Sequence, residues 1–108
     1  MKNVKAILVC MAGMSTNVMR GKIEEAAKGT DISLDIKAVG MDSIRDNLEG
    51  LDVVLLGPQI RYAEKSISDD LAKSSPSTKL IVIDSKDFGM MRGDEVFRKM
   101  CALLGVES

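Results

Sequence analysis

The chain has 108 residues, 45 % apolar and 29 % charged, with a net charge of −1, which suits one ordinary globular domain needing neither metal nor disulfide staples. Its basic residues are spread along the chain and its aromatics are Tyr62, Phe88 and Phe97 alone, which excludes the basic stripe and stacking platform of a nucleic-acid binder. It contains no histidine, and Cys10 and Cys101 follow no metal-ligand spacing, so zinc sites and histidine-based catalysis are excluded as well and no metal or other cofactor is expected.

The start MKNVKAILVC has too short an apolar run for a signal peptide, and no stretch approaches a membrane span. The expectation is a cytoplasmic protein with reduced thiols, without direct membrane insertion. VKAILV, residues 4–9, is short and nearly all apolar, as a strand covered on both faces should be. Residues 11–16 follow as a loop, and then Met19, Ile23, Ala26 and Ala27 share one helical face up to Lys28-Gly29, a plausible helix end. ISLDIKAV, residues 32–39, alternates strictly, which predicts an edge strand with one wet face. Asp42-Ser43 is expected to cap a short helix turning Met41, Ile44 and Leu48 inward and closing at Gly50.

DVVLLG, residues 52–57, reads as another strand covered on both faces, ending at Gly57-Pro58. The next helix carries Ile60, Ala63, Ile67 and Leu71 on one side. After the loop SSPS comes a fourth strand, KLIVID, residues 79–84. The last helix, from about Asp94, groups Val96, Phe97, Met100, Cys101 and Leu104. Four strand–helix units predict an α/β fold: a single-domain, open four-stranded parallel sheet spanning residues 1–108, in the order 2-1-3-4, with helices on both faces. Ligands of such sheets bind beyond the carboxyl ends of the strands where the winding reverses, here between strands 1 and 3. That point gathers Cys10 with its loop, Gly57-Pro58-Gln59 and, more distantly, Asp84-Ser85.

The loop Met11, Ala12, Gly13, Met14, Ser15 and Thr16 leads from Cys10 into a helix. Gly13 permits a close-approach turn, and Ser15 and Thr16 bring hydroxyls to the helix start. Free amides and the helix dipole there favour an anion, whether a phosphate or a thiolate. The residues leave two readings of Cys10 open, a nucleophile that attacks phosphorus or a small buried hydrophobe. Cys101, on an apolar helical face with Phe97 and Leu104, reads as core packing. No Walker A run and no dinucleotide glycine fingerprint is present.

ILVCMAGMSTNVM, DVVLLGPQIRY and VIDSKDFGMMRG together resemble the IIB component of the sugar phosphotransferase system (PTS), lactose/cellobiose/chitobiose family, over nearly the whole chain and in the family's order. The resemblance implies a flavodoxin-like, low-molecular-weight-phosphatase-like fold and a phosphocysteine at Cys10. That residue would take a phosphoryl group from a phosphohistidine of the IIA partner and pass it to a sugar held by the membrane permease IIC. It also implies that the phosphate loop is Met11 to Thr16 and that Pro58, Gln59 and Tyr62 border the site. Asp84 falls at the corresponding strand end. Read from the residues alone, Pro58 could simply end a strand, Gln59 hydrogen-bond loop backbone and Tyr62 lie on the surface. Arg20, Arg61 and Arg92 are candidates for contacts with acidic partner surfaces, or are solvated charges.

Two alternatives stand beside this reading. A low-molecular-weight phosphotyrosine phosphatase or arsenate reductase would place its cysteine similarly, but needs an arginine six positions on to clamp phosphate. Position 16 is Thr16. It also needs a general acid, for which Asp84 or Asp87 could be proposed. A non-catalytic flavodoxin-like binding module would share the sheet and leave Cys10 inert.

Overall fold

The computed structural model describes residues 2–10 and 14–106, with residues 14 and 15 described by their backbone alone. Its strands are β1 (Lys2–Val9), β2 (Ile32–Val39), β3 (Val53–Leu56) and β4 (Lys79–Val82). The helices are α1 (Met14–Lys28), α2 (Glu64–Ser74), α3 (Ser85–Gly89) and α4 (Gly93–Leu104). The sheet has the predicted order β2-β1-β3-β4 and is parallel throughout.

Strand parity sorts the core into two layers. On one face Val4, Ala6 and Leu8 of β1 and Val53 and Leu55 of β3 pack against Met19 and Ile23 of α1 and Phe97 and Met100 of α4. On the other, Ile7, Val9, Val54 and Leu56 meet Ile60, Ala63, Ile67 and Leu71. β1 and β3 are thus apolar at successive positions because both of their faces are covered. β2 alternates because it is an edge strand, with Ser33, Asp35 and Lys37 left exposed. Each fully buried aliphatic side chain contributes about 1.5–3 kcal/mol, so these two layers hold the sheet between its helices.

α1 ends at Lys28, where the Thr30 hydroxyl and amide both donate to the Ala27 carbonyl, at 2.7 and 3.0 Å. α4 ends at Gly105, whose left-handed backbone (φ 72°) is followed by a bond from the Val106 amide to the Cys101 carbonyl; glycine meets that conformation without a Cβ penalty.

Three local elements differ from the sequence expectation. The short helix expected after β2 is two 3-10 turns, Met41–Ser43 and Arg45–Asn47, and no side chain caps them. Met41 is exposed rather than inward, whereas Ile44 is buried and Leu48 packs partly against the same layer. The Asn47 side-chain amide donates to the Ser43 carbonyl at 2.8 Å, occupying the acceptor that a continuing α-helix would use, while the Asn47 backbone amide turns to Ile44. The helix after β3 begins as a 3-10 stretch, Pro58–Ala63, kinked at Ile60 (φ −120°, ψ 27°), and becomes α-helical only at Glu64. Between β4 and α4 lies α3, which the sequence reading did not separate from its surroundings.

Candidate functional site

The register brings four strand ends into one row. Val39, Val9, Leu56 and Val82 are cross-sheet neighbours, and the ladder continues one residue further. The Cys10 amide donates to the Val39 carbonyl at 3.4 Å, Gly57 to Val9 at 2.8 Å and Ile83 to Leu56 at 2.8 Å. Cys10 therefore sits in the middle of the sheet's carboxyl edge, immediately before the segment that leads into α1. By parity its side chain continues the row Val4, Ala6, Leu8 into the layer beneath α1 and α4.

Across from it, β3 runs out through Gly57 into a tight turn. Ile60 donates to the Gly57 carbonyl at 3.1 Å, closing a four-residue turn with Pro58 at its second position, where the ring's fixed φ suits the geometry. Buried Ile60 anchors one end of that turn, and the bond from Gly57 to Val9 anchors the other. Gln59 is exposed at the tip. The Cys10 thiol donates to Gln59 Oε1 at 3.5 Å. A Cβ at position 57 would lie 2.8 Å from Cys10 Sγ and 2.9 Å from Gln59 Oε1. Glycine at 57 is what lets the two side chains meet.

The other expected border residues separate. Pro58 and Asp84 line a polar cavity of about 350 Å³ with Arg61, Ser85, Asp87 and Lys99. Asp84 caps α3, its carboxylate accepting from the Lys86 amide at 2.8 Å. That bond holds the Asp84 carboxyl below its ordinary range. Asp87 is buried and paired with Lys99 Nζ at 2.7 Å, and the bond raises the Lys99 ammonium's pKa. The Asp84 carboxyl is thus held in the state that cannot donate a proton, which disfavours it as a phosphatase's general acid. Tyr62 is 73 % exposed on the outside of the 3-10 stretch. Met11, Ala12 and Gly13, and the side chains of Met14 and Ser15, lie outside the described residues, while Thr16 is buried in the first turns of α1.

Sequence reasoning missed Asp87 and Lys99 as a pair and α3 as an element. One signal was available: Asp84 followed three residues later by Asp87 is a helix-start pattern. Nothing local points to Gly57 as the clearance between Cys10 and Gln59, because that contact exists only once β1 and β3 are in register.

Arg20 pairs with Glu24 along α1, and Arg92 precedes α4. Among the described residues no helix is long and apolar enough to cross a membrane, and no cluster of three or more His, Cys, Asp or Glu is set to hold a metal.

A family described as "PTS system, Lactose/Cellobiose specific IIB subunit" matches residues 5–99. The oligo-β-mannoside-specific EIIB component of Bacillus subtilis is 28 % identical over 100 residues, covering 93 % of this chain and 95 % of that protein. The cellobiose-specific EIIB component of Lactococcus lactis subsp. lactis is 35 % identical over 96 residues, covering 82 % of this chain and 85 % of that protein. Among solved structures, the lactose-specific IIB domain of Streptococcus pneumoniae superposes with a TM-score of 0.80 at 14 % identity, over 94 % of this chain and 97 % of that one. The cellobiose-specific IIB protein of Borrelia burgdorferi superposes with a TM-score of 0.73 at 29 % identity, over 94 % and 91 %.

Proposed function

The chain belongs to the lactose/cellobiose-specific IIB subunit family of the phosphotransferase system, and from that premise we propose that it is a phosphocarrier working through Cys10. The Cys10 thiolate attacks the phosphorus of a phosphohistidine on IIA. An S–P bond forms, the N–P bond breaks, and the imidazole leaves with the electron pair and takes up a proton. In the second transfer a sugar hydroxyl held by IIC attacks the same phosphorus and loses its proton. The S–P bond breaks and the thiolate is restored. The chain contains no histidine, in keeping with a division of labour in which IIA supplies that group. The sugar class is a β-linked disaccharide such as cellobiose, chitobiose or lactose, chosen by the permease that contacts it. The chain works in the cytoplasm, meeting the membrane only through IIC. Site residues Met11 to Thr16 cradle the phosphoryl oxygens with backbone amides and hydroxyls.

The observation that supports this most directly is the position of Cys10. It ends the central strand at the sheet's carboxyl edge, just ahead of a fifteen-residue helix, with a hydrogen-bonding amide on its other side. Anions bind where helix-start amides are unsatisfied, and the same dipoles favour a thiolate. The test is incubation with phosphorylated IIA followed by peptide mapping. The phosphoryl group is expected on the peptide containing Cys10, labile as a thiophosphate rather than an acyl phosphate, and absent from a folded Cys10→Ser variant. Undiminished incorporation in that variant would refute the assignment.

A further inference from the structure

Among the described residues, Gln59 brings a polar side chain to the Cys10 sulfur, and its amide has a property that neither a carboxylate nor an ammonium shares. It can accept through Oε1 or donate through Nε2, and half a turn about its last torsion exchanges the two without moving the rest of the side chain. A cysteine that shuttles a phosphoryl group alternates between a thiol, which donates, and a thiolate, which only accepts. A fixed acceptor facing the sulfur would oppose ionisation, whereas a fixed donor would leave the resting thiol's proton without a partner.

The surroundings are built to hold this pair. Pro58 and the Ile60 to Gly57 bond fix the turn that carries Gln59, and buried Ile60 pins it to the sheet. Gly57 leaves open the space that any Cβ would take from both atoms. We infer that Gln59 is a positioning residue for Cys10, its amide accepting from the resting thiol at 3.5 Å and, after half a turn, donating to the thiolate that attacks phosphorus. The inference rests on the phosphocarrier reading for its purpose, but the pairing itself is open to a separate test.

The experiment follows alkylation of each thiol by iodoacetamide from pH 5 to 10, by peptide mapping, in the full chain and in Gln59→Glu and Gln59→Met. Only the thiolate reacts at an appreciable rate. The ionisable groups on the elements flanking this end of the sheet include Arg20 on α1, Asp42 after β2, Arg61 in the turn region, Lys86 on α3, and Asp84, Asp87 and Lys99 around the cavity. They are the same in all three chains, so a displaced Cys10 profile reports the side chain at position 59. The carboxylate of Gln59→Glu cannot donate to the sulfur and repels its charge. The Cys10 alkylation midpoint should therefore move upward by about one pH unit in that variant, slowing the reaction at pH 7 about tenfold. Gln59→Met keeps the side-chain length and loses the donor, and its midpoint should fall between the other two. Buried Cys101, on α4, is the reference in the same molecule, because a variant that merely loosened the fold would speed alkylation there too. Coincident Cys10 profiles in all three chains, or Cys10 and Cys101 changing together, would overturn the inference. Failure of the wild-type chain to take a phosphoryl group from IIA would remove the carrier reading and leave the alkylation profiles to judge Gln59.

Discussion

Lys99 of α4 reaches the buried carboxylate of Asp87 on α3 at 2.7 Å, tying the short helix at the sheet's carboxyl edge to the long one that packs against α1. The bond raises the Lys99 pKa, with burial opposing it and Asp84 and Glu95 adding smaller attractions. A cation whose pKa is higher folded than unfolded stabilises the fold fully below its unfolded value, about 10.4 for lysine. That contribution is lost as pH rises through the folded value. Denaturation midpoints of the wild type should therefore fall more steeply above pH 10 than those of Lys99→Met. The variant should be the less stable protein at pH 7, where its Asp87 carboxylate has lost its partner. Parallel alkaline limbs in the two proteins would show that the pair does not couple to folding.

Gly93 opens α4 against α1 with no room to spare. A Cβ there would stand 2.4 Å from the carbonyl carbon of Lys22 and 2.7 Å from the amide nitrogen of Ile23. These are backbone atoms inside a helix, so the neighbour cannot swing aside as a side-chain tip would. Gly93→Ala should cost about 1–3 kcal/mol, as overpacking of a close contact does. Urea denaturation should show a lower midpoint with an unchanged slope, the sign of altered stability rather than altered compactness. A midpoint equal to the wild type's would mean that the helices separate at no cost.

The sheet was legible in the sequence because its signals are one-dimensional. Continuous apolar runs in β1 and β3 and the alternation of β2 state how many faces each strand has covered, and the parallel order follows from chirality. The helical residues Met19, Ile23, Ile67, Leu71 and Met100, all buried, were legible through their spacing. What was not legible is decided by single hydrogen bonds. Asn47 turns its side chain onto Ser43 and breaks a helix, and Asp84 caps α3 through the Lys86 amide. The position of Cys10 beside Gly57-Pro58-Gln59 followed from topology, but the bond from its thiol to the Gln59 amide did not, since the two lie 49 residues apart in the chain and meet through strand register.

Gly57 links that register to the proposed chemistry. In Gly57→Ala the new methyl would sit 2.8 Å from Cys10 Sγ, and Gln59, being exposed, is the side chain free to leave. The stability loss should be small, about 1 kcal/mol. Displacement of the nucleophile by a fraction of an ångström should cost far more in function, so phosphoryl acceptance from IIA should slow about 10- to 100-fold. Stopped-flow transfer and urea denaturation on the same preparation separate the two effects. Transfer at the wild-type rate would show that the clearance at 57 is not needed by the sulfur.

The lifetime of phosphorylated Cys10 distinguishes a carrier from a hydrolase. A phosphatase with this sheet would clamp the phosphate with an arginine six residues beyond the cysteine, a bidentate partner for the charge that builds up as water attacks. This chain has Thr16 there, buried at the start of α1. Asp84, the acid nearest in sequence to the β4 end, is held ionised by the Lys86 amide. Loss of one preorganised charge-stabilising donor slows such chemistry by roughly 10²- to 10³-fold, and an ionised carboxylate supplies no proton to a leaving group. The phosphorylated chain in buffer at pH 7 should therefore lose its label at least about 100-fold more slowly than in the presence of IIC and sugar. Discharge at equal rates with and without the acceptor would turn the reading toward a phosphatase, because the label would then be passing to water.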